Sequence, residues 1–231
     1  MSTPPPIPDK DRPSMSEVKD SLSDIKNTDL TVKTGGPAWE GDGNIIQRLV
    51  STIIQMVARP MQTFEPEAPE MPERHSKPLM FAIYSVVPFV FVGLLLQALL
   101  DYLIVPSIAR SSTRFLGVII MPVLQIGFLY LGALLSHLGL RIFKVDREDF
   151  WATFRVAGYS RAVFPLYVIP YLGGMAAGAW SLVLTVLGCI VVHKGREEGT
   201  TGMIVLGVIM LPIAAMLVLG VLWFIALRII F

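Results

Sequence analysis

Hydrophobic positions are unevenly spread along this chain. From Leu79 to Phe231 they form long apolar runs separated by short charged breaks. Met80–Val105 holds one charge, Asp101, while Phe115–Leu140, Ala162–Val192 and Thr200–Leu227 hold none. A hydrocarbon core about 30 Å thick takes roughly 20 apolar residues of helix, so the pattern predicts an all-α, polytopic membrane helix bundle. Spans are expected at about 79–105, 114–142 and 200–228. The stretch between, Trp151–Val192, would make one helix of about 63 Å, twice the core thickness. Pro165, Pro170 and the pair Gly173, Gly174 also interrupt it. The expectation is therefore two short spans, about 151–169 and 173–193, joined by a tight turn, which makes five transmembrane helices. The alternative is four, with residues 151–170 lying along the membrane interface.

A different periodicity precedes the bundle. Ile45, Ile46, Leu49, Val50, Ile53, Ile54 and Val57 recur in pairs every four residues, on one helical face. Gln47, Arg48, Ser51, Thr52, Gln55 and Arg59 occupy the other. Asn44 is placed to cap this helix, and Pro60 ends the pattern. At about 24 Å it would cross a bilayer only barely, with its polar face stranded. The spacing predicts an amphipathic helix in the interface plane, its apolar face (Ile46, Leu49, Val50, Ile53, Ile54, Val57) in contact with lipid. Packing against the rim of the bundle is the competing reading.

Four segments follow: a disordered tail over 1–43, the interfacial helix over 44–63, a Pro/Glu-rich linker over 64–78, and the membrane domain over 79–231. The tail is rich in Pro, Ser, Asp, Lys and Gly and has too few large apolar residues to offset ordering entropy. Within it Val18, Leu22 and Ile25 fall at helical spacing, a candidate docking segment for a soluble protein partner. Met1-Ser-Thr-Pro-Pro-Pro lacks a basic cap followed by an apolar core, so no cleavable signal peptide is expected and the first span directs insertion.

Charge refines this picture. Residues 1–78 carry 21 charges and residues 79–231 only 16. Neither part has the dense basic face that nucleic acid requires. With the N-terminus in the cytoplasm, the inner segments hold Arg74, Lys77, Arg141, Lys144, Arg147, Lys194 and Arg196, and the outer ones Arg110, Arg114 and Arg228. That asymmetry fits the positive-inside rule.

Few residues in the spans carry chemistry. Arg161 falls near the middle of the expected third span, where an arginine costs about 2.5–3.5 kcal/mol on insertion scales. No acid lies at that depth, and Gln125, in the antiparallel second span, does. Arg161 either lines a polar cavity or grips lipid phosphate, or else Arg155 and Arg161 both snorkel to the headgroups. Gly173, Gly174 and Gly178 flatten one side of the fourth span, and the Gly174–Gly178 spacing suits close helix packing, within one chain or between two. His75, His137 and His193 have no metal-ligand spacing, and the lone Cys189 sits in an apolar run. No nucleophile–base pair, carboxylate dyad or phosphate loop is present. A non-enzymatic protein with neither cofactor nor metal is expected, with the lipid bilayer as its partner. A small permease or channel subunit is the alternative.

Three stretches bear a resemblance. Phe150-Trp-Ala-Thr-Phe-Arg-Val-Ala-Gly-Tyr-Ser-Arg-Ala, then Val168-Ile-Pro-Tyr-Leu-Gly-Gly, then Ala179-Trp-Ser-Leu and the break at His193 resemble the Yip (Ypt-interacting protein) family in its bacterial branch. Arg59-Pro-Met-Gln-Thr-Phe64 is similar to the segment that follows the interfacial helix of bacterial members. The likeness spans roughly residues 44–225. It implies five spans, a cytoplasmic N-terminus, a bacterial cytoplasmic membrane and no established activity. Eukaryotic members bind Rab-type GTPases through their tails, but their Asp-Leu-Tyr-Gly-Pro motif has no counterpart here, so that property is not implied. At the position of Arg161, family members more often carry small or apolar residues.

Overall fold

The computed structural model describes residues 36–41, 43–65, 73–104 and 112–230. The candidate docking segment at Val18–Ile25, the tail through residue 35 and linker residues 66–72 lie outside them. Among the described residues there is no strand. A short 3₁₀ turn, Ala38–Glu40, is followed by seven α-helices: α1 Ile45–Ala58, α2 Pro60–Phe64, α3 Glu73–Ile104, α4 Ser112–Ile142, α5 Phe150–Tyr159, α6 Gly173–Val192 and α7 Thr201–Ile230.

Among the described residues, three helices contain stretches long and apolar enough to cross a membrane: His75–Ile104, Gly117–Ile142 and Gly173–Val192. The expected third span is not one uniform rod. The ten residues of α5 run directly into a nine-residue 3₁₀ helix, Ser160–Val168. Such helices rarely exceed three or four residues. Pro165 sits inside this one, and lacking an N–H it cannot continue an α ladder. The two pieces together rise about 33 Å. Irregular backbone at membrane depth is tolerated where protein encloses it, and here every residue from Ala152 to Ser160 is buried, as are Ala162, Val163 and Phe164. The composite segment is the axis of the fold, with α3, α4 and α6 packed on it. Phe81, Tyr159, Phe164, Leu184 and Ile204 form the core around it.

The turn between the composite segment and α6 covers Ile169–Leu172, as the Pro170/Gly173 signals predict. Tyr171 adopts a left-handed φ of 63° there, and its hydroxyl donates to Asp101 Oδ1 at 2.6 Å, tying the turn to the end of α3.

Three boundaries differ from expectation. The helix of the first span starts at Glu73, inside the expected linker. The 44–63 segment is two helices, because Arg59 leaves helical geometry (φ −143°, ψ 57°) ahead of Pro60. The tail is ordered before residue 43: Pro37 and Trp39 are buried.

Candidate functional site

The ordering of the tail's end has a clear local cause. Asn44 caps α1, its side chain accepting from Ile46 N at 2.9 Å. The polar face of α1 then grips the preceding 3₁₀ turn. Thr52 Oγ1 accepts from Trp39 N at 2.7 Å, and Gln55 Oε1 from Ala38 N at 2.8 Å. The Arg48 guanidinium donates to the Trp39 carbonyl and lies 5.0 Å from the indole ring centre. Trp39 inserts between α1 and α3, with ring centres 5.7 Å from Phe81 and 5.6 Å from Tyr84.

This anchoring carries Glu40 to α5. Its carboxylate accepts from Arg155 Nε at 2.8 Å, Arg155 Nη2 at 2.9 Å and the Tyr159 hydroxyl at 2.9 Å. Lys77 Nζ donates to the Glu40 carbonyl at 3.1 Å. Arg155 therefore does not snorkel: its side chain is only 4 % exposed and meets a bidentate partner. Sequence reading missed Glu40 and Tyr159. The available signal was Trp39, an isolated large apolar residue between Pro37 and Gly41.

A second cluster lies at the same end of the bundle. His193 Nδ1 accepts from the backbone N–H groups of Arg147 (3.1 Å) and Glu148 (3.3 Å). Its Nε2 must then carry the hydrogen and donate to Thr153 Oγ1 at 3.2 Å. The Thr153 hydroxyl in turn donates to His137 Nδ1 at 3.1 Å. Burial, with the neighbouring His137 adding to it, pushes the His193 imidazole down to about 4. The two histidines meet through one threonine, and no group of three metal-ligating side chains occurs among the described residues.

Arg161, six residues beyond Arg155, has a different environment. It is largely enclosed, its guanidinium lies 4.9 Å from the Phe164 ring centre, and Phe164 stacks on Tyr167 at 5.2 Å. Among the described residues no carboxylate pairs with it. Arg161, Gln125 and Tyr167 line one cavity of about 500 Å³, walled by α4, the composite segment, α6 and α7. Gln125 does not bond Arg161; its Nε2 donates to the Tyr167 hydroxyl at 3.4 Å.

The glycines separate in role. A Cβ on Gly173 would collide with the Leu166 carbonyl, and one on Gly174 would press on the Tyr167 ring at 3.2 Å. Gly178 is different from the expected packing residue: a Cβ there meets nothing within 4 Å, and the position lines the cavity. A close helix crossing without room for a Cβ lies elsewhere, between Gly139 of α4 and Gly207 of α7.

The expected lipid face of α1 is divided. Ile46, Val50, Ile54 and Val57 are exposed, with Ile46 at 70 %. Leu49 and Ile53 are half-buried against the core, and Met56 belongs to it.

No curated protein and no solved structure matches the chain. The family model of the Yip1 domain matches residues 54–220, from the last turns of α1 into α7. The chain, a membrane protein built of apolar helices around a buried composite segment, thus belongs to the Yip1 domain family.

Proposed function

We propose that this protein is a non-enzymatic scaffold of a bacterial cytoplasmic membrane, with five crossings and the tail-bearing end in the cytoplasm. It organises the bilayer and binds partners at that end. The observation that carries this reading is the orientation of α1. Its polar side is clamped inward by Thr52, Gln55 and Arg48, and Ile46, Val50, Ile54 and Val57 face outward. An exposed apolar stripe on a helix fixed to a membrane bundle suits insertion into the headgroup–acyl boundary. The basic residues at this end support the orientation.

A fluorophore at Ile54→Cys tests the reading in the full chain, because the native Cys189 is fully buried. In proteoliposomes the dye should be quenched by lipids brominated in the upper acyl chain and protected from iodide. Ser at Ile46, Val50 and Val57 should reverse both effects. Free iodide access in the parent chain would reject the reading. A reporter fused after Phe231 should lie outside the cytoplasm if there are five crossings.

A second reading, a small permease or channel subunit, rests on the cavity that Gln125 and Arg161 both line. Anion flux into proteoliposomes, abolished by Arg161→Leu, would favour it over the scaffold.

A further inference from the structure

Two arginines on one continuous segment, Arg155 buried and Arg161 half-buried, are treated differently. Arg155 is matched by a carboxylate from its own chain. Arg161 has an aromatic face on one side and the cavity on the other, with no anion supplied among the described residues. A guanidinium cannot escape by losing its proton, so its site is complete only when an anion enters.

The walls restrict what that anion belongs to. Phe128 and Leu131 of α4, Leu182 of α6 and Ile213 of α7 border the cavity and are exposed on the outer surface of the bundle. In a membrane that surface meets acyl chains, so the mouth opens sideways to lipid rather than to water. The polar end holds Arg161 and Tyr167. Gln125 donates to the Tyr167 oxygen, which leaves the phenol hydrogen free to be given to an incoming anion. A planar two-oxygen group fits the guanidinium fork. About 500 Å³ is within the range of small-ligand sites and takes one chain, not the two of a diacyl phospholipid.

We propose that this cavity binds a long-chain carboxylate from the membrane. Arg161 pairs with the carboxylate, the Tyr167 hydroxyl donates to it, and the chain lies along the apolar wall toward Leu182 and Ile213. This goes beyond the scaffold reading and does not depend on it, since it concerns the outer wall of the bundle and not α1.

Tritiated oleate binding to the full chain in detergent micelles tests the proposal, with oleyl alcohol and dioleoyl phosphatidylglycerol as competitors. Saturable binding near one per chain is expected. Arg161→Leu should weaken it at least about tenfold, as loss of a charge-assisted pair does, and Arg161→Lys should retain more affinity than Arg161→Leu. Gly178→Phe should block binding by filling the cavity without touching Arg161, since a Cβ there meets nothing within 4 Å. Oleyl alcohol should compete at least about tenfold more weakly than oleate. Wild-type affinity in either Arg161→Leu or Gly178→Phe would overturn the proposal. So would equal competition by the alcohol, which would make the site merely apolar, or by the two-chain lipid, which would identify a phospholipid as occupant.

Discussion

The Glu40 carboxylate lies 2.8 Å from Arg155 Nε although 115 residues separate them in sequence. The contact joins the end of the tail to the central segment of the bundle, at a point where both side chains are withdrawn from water. Breaking a buried pair leaves one charge uncompensated, at a cost of about 3–5 kcal/mol. Glu40→Ala should therefore lower the melting temperature in detergent and open residues 36–43 to proteolysis. The double variant Glu40→Leu with Arg155→Met should be less destabilised than either single change. If the two singles prove additive, the pair is not coupled.

Arg161 should respond in the opposite sense to Arg155. It has no carboxylate partner among the described residues, so Arg161→Leu removes a charge whose burial is unfavourable and gives up only one cation–π contact of about 0.5–2 kcal/mol. Arg161→Leu is expected to hold or raise the melting temperature of the delipidated protein, whereas Arg155→Leu lowers it. Equal losses in the two variants would show that Arg161 has a structural partner after all.

His193 gives the fold a dependence on pH. Folded, its imidazole stays neutral down to about 4, because burial and then the neighbouring His137 disfavour the charged form, while two backbone N–H groups point at Nδ1. Unfolded, it takes a proton near 6.5. Between these values the unfolded chain binds more protons, so stability falls as pH drops from about 6.5 to about 4, by about 3 kcal/mol at most. Below about 4 this contribution is flat. Thermal melts across that range should show the slope, and His193→Gln should start lower at pH 7 and follow a flatter course. Parallel slopes in the two proteins would exclude His193 as the source.

Local and periodic features were legible in the sequence; distant pairings were not. Asn44 and Pro60 marked the ends of the amphipathic region because capping and ring closure act within a few residues. Pro170 and Gly173 marked the turn for the same reason. The apolar runs of α3, α4 and α6 read directly as helices because lipid forces backbone groups to bond within the segment. The partner of Arg155 was hidden, since the nearest acid in sequence, Asp149, caps α5 through Ala152 N instead and Glu40 reaches Arg155 only after Trp39 has been anchored. The His193–Thr153–His137 chain was hidden likewise, because it joins three helical segments through one hydroxyl. The 3₁₀ character of Ser160–Val168 depends on enclosure by neighbours as well as on Pro165, and a proline alone does not distinguish a kink from a change of helix type.

Glycine substitutions separate close packing from open cavity. At the α4–α7 crossing a Cβ on Gly139 would overlap the Gly207 carbonyl, and one on Gly207 would come within 3.0 Å of the Gly139 carbonyl carbon. Backbone atoms cannot rotate away as a side chain can, so Gly139→Val must push the helices apart. Overpacking of this kind costs about 1–3 kcal/mol, and more where the contact is backbone. At Gly178 the added methyl meets nothing within 4 Å, while an alanine in a helix interior gains about 0.5–1 kcal/mol over glycine. Gly178→Ala should therefore match or exceed the parent melting temperature with an unchanged oligomeric state, and Gly139→Val should fall well below it. A loss of stability or a change in mass on Gly178→Ala would place a second chain against that face of α6.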